Sequence, residues 1–514
     1  MALDTPINTI TLEKHRRSLL TIAGIVDSVA QTTGPTLFTI VDGSGSLTVK
    51  GFEGPGTRAY PQIEAGNAIR ATIRVKEFQD ALEGEFMKVA KLEGAAAEAL
   101  KKTIDVAEHK RAEAKPIQFL VKNQLLEKLK PSFLKAATEV RLAVIRNRPI
   151  IVRHHNDADG YSAGFAMERA IIPLIVQQHG AGKAPWEYFT RSPSAAPYYE
   201  IEDSIKDTAD SLRDFAKFSN KIPLVLIVDT GSGEESLLAI RQGKIHGEDF
   251  IVVDHHFFEH DVTTPEVLVH INPFVVGEDG ARYSAGMLCT ELARFINPSV
   301  SLDYVPAMSG LADRIDNPEV LDAYIKIAEK KGYTKAFLHD IAALIDFVST
   351  KLRFMEAREY IEVVFGEPLE KQHALVSLMA PYIRKMEARG LDIARSAVKR
   401  EKLGKTTLQL LFIEETFSAR TYPKPGKVNG MMHDEAQTKE GISNLVSVGV
   451  LNDVMTIRAT ESSGFSIHSF LTYLQKHVPS AFVEGGGHKQ AGAIKFVPSQ
   501  REAVLKALKS FLGK

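Results

Sequence analysis

The chain has 514 residues, with 63 Lys plus Arg against 64 Asp plus Glu, 44% hydrophobic residues and a single cysteine, Cys289. At ~100–200 residues per domain this length predicts three or four domains with ordinary cores, which excludes collagenous, coiled-coil and broadly disordered classes. One cysteine rules out an internal disulfide or a Cys-type zinc site and fits a reducing cytoplasm, and a net charge of −1 argues against a histone-like coating of nucleic acid while leaving room for a local basic groove.

No segment approaches the ~20 apolar residues of a membrane helix. The longest clean apolar run, Leu224 to Val228, has strand length, and the N-terminus MALDTPINTITLEKH lacks the apolar core of a signal peptide. A soluble, cytoplasmic protein with no membrane partner is expected.

Residues 1–93 read as short strands. TIAGIVDSVA alternates from Ile22 to Val29, TLFTIV runs to Asp42, and an Asp42-Gly43-Ser44-Gly45 turn leads into Leu47-Thr48-Val49. Ala68 to Phe78 and Glu85 to Leu92 complete five strands, a number and spacing that suit a Greek-key barrel of OB type. Such barrels often hold single-stranded nucleic acid, and Arg70, Arg74, Lys76 and Phe78 share one hairpin as a candidate basic–aromatic face. The plainer alternative is a barrel that only contacts its neighbour, with Phe78 in the core. Residues 94–146 turn helical, rich in Ala, Glu, Lys and Leu, and are broken by Pro116 and Pro131 as a connector with a solvated charged face.

From Pro149 the texture changes to apolar strands alternating with helices. PIIVRHHNDADG, PLVLIVDTGSG and FIVVDHH each run from a buried strand into a polar loop, with a helical pattern from Ser162 after the first. This predicts a parallel α/β sheet over 147–318, whose ligands collect at the carboxyl ends of the strands. All three polar clusters lie there. Residues 319–404 read as a helical insert. Residues 405–514 form a smaller α/β domain, with strands at TTLQLLFIEE and NDVMTIRATES, a glycine-rich turn in FVEGGGHKQAGAIKF and a final helix.

The polar clusters have the composition of a metal centre. His155, Asp157 and Asp159 alternate before Gly160, which in extended chain points all three to one side. Asp229 ends the second strand, Asp254-His255-His256 ends the third, and Asp313 in MSGLADRID is a fourth candidate, carried back by a helix. Imidazole mixed with carboxylate suits Mn²⁺, Zn²⁺ or Fe²⁺ better than Ca²⁺, and a carboxylate-rich set admits Mg²⁺. So many carboxylates would repel one another without cations, so two ions about 3.5–4 Å apart are expected. A strand-end Asp alone is as often a helix cap. The combination carries the argument.

With these residues in view the sequence resembles the DHH phosphoesterase superfamily and, within it, the RecJ-like nucleases. HNDADG at 155–160, VDTG at 228–231, VDHH at 253–256 and GLAD at 310–313 match its four motifs, and EGGGHKQAGA at 484–493 resembles the signature of the DHHA1 substrate domain. The resemblance implies an α/β chain in which a parallel-sheet DHH domain is followed by a smaller DHHA1 domain, with DNA in the cleft between them. It implies that His155, Asp157, Asp159, Asp229, His255 and Asp313 ligate two Mn²⁺ or Mg²⁺ ions, with Asp229 bridging. His256 would touch a metal or the scissile phosphate, and Asp254 would orient its neighbours. Gly485, Gly486, Gly487 and His488 would hold a terminal phosphate through backbone N–H groups, and Arg458 would pair with a phosphate oxygen. His154 matches no motif position. His155 stands where bacterial members commonly have Asp, and the N-terminal barrel also differs from the bacterial order, so the pattern looks more like the archaeal branch.

The implied activity is a two-metal exonuclease for single-stranded nucleic acid in repair or replication, with the insert as a surface for a replication or repair protein. Cleavage of short oligonucleotides or cyclic dinucleotides is the enzymatic alternative. A scaffold that has lost its metal ligands is the non-enzymatic one, and here every ligand position is filled.

Overall fold

The structure, a computed structural model, describes residues 4–78, 81–194, 196–218, 221–352, 358–418 and 421–513. The chain gathers into two compact units: Met1–Ala114 with Thr138–Pro149 and Ala209–Ile222, and Lys115–Ala137 with Ile150–Thr208 and Pro223–Lys514.

The first unit is built on a closed barrel of β1 (Leu19–Gln31), β2 (Thr36–Val41), β3 (Ser46–Gly51), β4 (Ala68–Phe78) and β5 (Ala81–Lys91), in the order β1-β2-β3-β5-β4. β1 is long enough to pair with both β2 and β4, and an irregularity between Val26 and Ser28 bends it as closure requires. Its inward residues, among them Ile22, Val26, Phe38, Val49, Ile69, Ile73 and Val75, form one buried cluster. The predicted turn between β2 and β3 closes because Asp42 Oδ1 accepts from the N–H groups of Ser44 and Gly45 at 2.8 and 3.0 Å. On β4, Arg70, Arg74, Lys76 and Phe78 alternate with buried Ile69, Ala71, Ile73 and Val75 and so share the outer face. Phe78 is exposed, outside the core, and lies 3.7 Å below the Lys50 ammonium.

The second unit holds two sheets. The first contains β6 (Ile150–His155), β7 (Phe189–Ser194), β8 (Leu224–Val228), β9 (Asp249–Val253) and β10 (Val269–Ile271), all parallel, in the order β10-β9-β8-β6-β7. β6, β8 and β9, the three motif strands, are neighbours at its centre. The chain leaves β6 toward β7 and returns on the other side at β8, so the sheet reverses direction beside the motif loops, where ligands of such sheets collect. β7 and β10 were hidden in the sequence because FTRSPS is polar and VHI is only three residues long. The insert is helical at Pro318–Glu329, Lys335–Ser349, Arg358–Val364 and Leu369–Ala397.

The second sheet runs β11 (Lys399–Leu403), β12 (Thr406–Phe412), β13 (Leu445–Val450), β14 (Val454–Ala459), β16 (Ala491–Lys495) and β15 (Glu484–His488), antiparallel except for β12 and β13. Its core joins Leu408, Val446, Val448, Ile457, Phe470, Ile494 and Leu508. The GGGH residues are not the expected turn. They form the edge strand β15, and the turn falls at Lys489–Gln490 before β16. Among the described residues no helix is long and apolar enough to cross a membrane.

Candidate metal centre

The first motif departs from its expected geometry. The chain is extended only to His155; Asp157 is the N-cap of the helix Ala158–His179, its carboxylate accepting from Gly160 N–H at 2.9 Å, and Asp159 lies in the first helical turn. The correction has a physical cause: an aspartate that caps its own helix starts it four residues before Ser162. Gly160 permits the tight joint, because a Cβ there would stand 2.1 Å from the carbonyl oxygen of His155.

The motif residues nevertheless converge. His155 Nδ1 lies 2.7 Å from Asp157 and 3.8 Å from Asp229. His255 Nε2 lies 3.3 Å from Asp229 and 3.6 Å from Asp159, and its Nδ1 is 3.8 Å from Asp313. Two triads, His155–Asp157–Asp229 and Asp159–His255–Asp313, each present three ligand atoms within 4.8 Å of one another. Asp229 reaches both groups through His155 and His255. Its Oδ2 is buried without a hydrogen-bond partner.

Burial, and then the neighbouring carboxylates, holds Asp229 well above the usual carboxylate range. The same causes raise Asp313 to about 7, although His255 opposes them. His255 rises above the ordinary imidazole range despite its burial, because Asp313, Asp229 and Asp159 surround it. Burial would raise Asp157 too, yet the His155 imidazole and the Gly160 N–H hold it below the normal range. A set of four carboxylates and two imidazoles, with Asp159, Asp229 and His255 buried, the other three partly exposed and one buried Asp229 oxygen without a hydrogen-bond partner, fits divalent cations by donor chemistry.

Asp254 does not face the triads in the same way. It accepts from the N–H groups of Ser232 and His255 at 3.0 and 2.8 Å and from His256 Nδ1 at 2.8 Å, so it fixes the loop and the ring of His256. His154 is fully buried under the loop. Its Nδ1 faces the carbonyl of His155 at 2.8 Å and its Nε2 accepts from Arg191 at 3.3 Å, a structural arrangement.

From the second sheet, β15 carries His488 against His256 and His255, with ring centroids 4.7 and 5.0 Å away. Gly485, Gly486 and Gly487 lead to it along the sheet edge, so their N–H groups are presented from a strand and not from a turn; Gly487 has φ +122°, open to glycine alone at little cost. Arg458 on β14 has no hydrogen-bond or ion-pair partner among the described residues; Asp313, Asp434 and Arg314 are its charged surroundings, and burial lowers its pKa.

Several contributors escaped the motif search. The N–H groups of Ala285 and Gly286 donate to Asp159 at 2.8 Å each from the start of the helix Ala285–Ile296, and Ser309 donates to the same carboxylate. Ser309 stands one helical turn before Asp313, a spacing that could have flagged it. Lys424 donates to the carbonyl of Asn156, and Glu235, raised to about 7 by burial first, lies against Gly486. Nothing local marks either.

A parallel sheet whose three central strand ends gather carboxylates and imidazoles, followed by a mixed sheet bringing a glycine-flanked histidine to the same place, defines the two-lobed class of DHH proteins. No protein-family model matches the chain. An uncharacterized protein of Methanocaldococcus jannaschii is 36% identical over 96% of this chain and 68% of its own length. A solved structure described as the DHH domain of a member of the s1p family of ribosomal proteins is 35% identical, with TM-score 0.76, over 82% of this chain and 99% of that one. RecJ from Thermus thermophilus in complex with Mn²⁺ shares the fold at TM-score 0.52 and 16% identity, over 80% of this chain and 59% of that one. The chain belongs to the DHH superfamily, and its fold is like that of RecJ.

Proposed function

We propose that this protein is a metal-dependent phosphodiesterase, a RecJ-like exonuclease that shortens single-stranded DNA or RNA to nucleotides in repair or replication. The observation that carries the reading is the pair of triads linked by Asp229, which belongs to the first, lies 3.3 Å from His255 of the second, and has a buried Oδ2 without a hydrogen-bond partner. His155, Asp157, Asp159, Asp229, His255 and Asp313 would hold two ions, Mn²⁺ or Mg²⁺, and the Mn²⁺ in the similar RecJ structure supports the choice. When bound, such ions activate water and neutralise charge at the phosphorus in an in-line displacement. The chain's own residues supply the rest. His256, its Nδ1 committed to Asp254, presents Nε2 toward the reacting group, and the unpaired guanidinium of Arg458 offers a phosphate two donors. The outer face of β4, with Arg74, Lys76 and the exposed Phe78, supports single-strand contact by the barrel. For a protein partner, the helix Leu369–Ala397 exposes Leu378 and Tyr382 one turn apart.

The test is hydrolysis of single-stranded DNA and RNA, labelled at either end, with a dinucleotide in parallel. We expect Mn²⁺- or Mg²⁺-dependent release of nucleotides from the long substrates, abolished by EDTA and reduced at least about 10²-fold by Asp157→Ala or His255→Ala. Wild-type rates in both variants would overturn the reading, and activity on the dinucleotide alone would transfer it to short oligonucleotides.

A further inference from the structure

His255, His256 and His488 meet where the glycine-rich hairpin reaches the metal centre, and one ring nitrogen of each lies within 4.8 Å of the other two. The ring centroids are 4.6, 5.0 and 4.7 Å apart. The state of His256 follows from its partner. A carboxylate accepts but does not donate, so the 2.8 Å contact of Nδ1 with Asp254 places a hydrogen on Nδ1 and leaves Nε2 as the nitrogen that can ligate a metal. Pairing of this kind is how proteins aim a histidine at a metal. The His488 ring has no hydrogen-bond partner among the described residues, and it comes from the other sheet. Asp254 Oδ1 is already engaged by three donors, so the three imidazoles are a nitrogen donor set that shares only His255 with the two carboxylate-rich triads.

We propose that His255, His256 and His488 form a zinc-selective inhibitory site. Three imidazoles with one position left open are a common protein environment for Zn²⁺, and nitrogen ligands favour Zn²⁺ over Mn²⁺. Magnesium, which keeps oxygen ligands and six-fold geometry, is excluded. Inhibition follows from position. His255 belongs to the triad with Asp159 and Asp313 and sits 3.3 Å from Asp229, so zinc binding withdraws it from the catalytic set. Zinc would also tie β15 to the loop after β9, where an incoming phosphate has to lie. This inhibitory role rests on the reading of His255 as a ligand of the catalytic ions; the three-imidazole site does not.

Cobalt is the probe, because its visible absorption is intense in four-coordinate nitrogen-rich sites and weak in six-coordinate oxygen-rich ones. The full-length protein, saturated with Mn²⁺, is titrated with Co²⁺ and then Zn²⁺. An intense band that saturates at a single equivalent and is bleached by Zn²⁺ is expected, lost in both His488→Gln and His256→Gln while their thermal transitions stay cooperative. In parallel, the zinc concentration that halves the residual activity of His488→Gln should rise at least about tenfold over wild type. Only a weak octahedral spectrum, or an equal band in both variants, overturns the site. An intense band in a protein without phosphodiesterase activity supports the site and refutes the proposed function; EDTA-sensitive hydrolysis with no such band does the reverse.

Discussion

Asp229 shows how much a single residue bears in this centre. It follows β8 with φ +61°, a left-handed backbone that non-glycine residues adopt at a cost of about 1–2 kcal/mol and keep only where the surroundings hold them. Asparagine tolerates that backbone and matches the shape without the charge, so Asp229→Asn should fold normally yet bind Mn²⁺ at least about tenfold more weakly by calorimetry. Titration gives a second expectation at this scale. Asp313, Asp229 and Asp159 are held above the carboxylate range, mainly by burial, and His255 is held above the imidazole range by the carboxylates around it despite burial. Each therefore keeps its proton to higher pH in the metal-free folded state than in the unfolded chain. The stability this contributes is complete below the unfolded values and is lost as pH rises through the folded ones, about 7 for Asp313. Asp157 and Asp254 have the opposite sign and act only below the ordinary carboxylate value of 3.8. His154, His433 and His488 are depressed below the ordinary 6.5 by burial and add stability as pH rises to that value, so the Tm of chelator-treated protein should fall between about pH 6.5 and pH 8, and Mn²⁺ should raise Tm more at the upper end, where cations replace those protons. A flat profile would contradict this electrostatic account.

At the scale of elements, the joint between β6 and the helix Ala158–His179 matters most. At Gly160 an added Cβ would meet three backbone atoms of His155 at 2.1 to 2.8 Å, and backbone cannot swing aside as a side chain can. Gly160→Ala should cost at least about 1–3 kcal/mol in denaturant unfolding and weaken Mn²⁺ binding, since the joint carries both His155 and Asp157. This element also shows the limits of reading by period. Spacing of two placed His155, Asp157 and Asp159 together through an extended strand, but they meet through a strand end, a cap and a first helical turn. Aspartate at a cap was the available signal. The hairpin of β15 and β16 teaches the same lesson: three consecutive glycines look like a turn, whereas backbone pairing with β16 draws them into a strand edge.

At the scale of the whole molecule, the near balance of 63 basic and 64 acidic residues hides a strong local separation. Carboxylates concentrate around the metal centre, while β4 turns Arg70, Arg74 and Lys76 outward. Arg70 is paired with Asp4 at 2.8 Å and Lys76 with Glu85 at 2.7 Å, whereas Arg74 has no ion-pair partner among the described residues. If this face binds single strands, Arg74→Ala should weaken binding of a 20-mer and reduce the slope of log K against log salt by about 1, more clearly than Arg70→Ala, when measured by anisotropy on the full-length protein. Within the second unit, the pairing of Lys495 with Glu200, of Arg314 with Asp434 at 2.5 Å and of Lys424 with the Asn156 carbonyl joins the two sheets. His488 meets His255 across the same boundary.

By itself, the sequence determined the five strands of the barrel, the three strand-end motifs and the residue types of the candidate metal centre. These are local facts, written in apolar period, in turn residues and in polar clusters that follow buried strands. Only the tertiary structure decided that β6, β8 and β9 are neighbours, that Asp159 receives the helix N-terminus at Ala285 and Gly286, and that Ser309, Lys424 and Glu235 border the site. It also decided that three histidines stand ring to ring. Strand order depends on contacts between residues tens of positions apart and the meeting of two sheets on contacts more than two hundred apart, and no local pattern of composition or spacing encodes those distances.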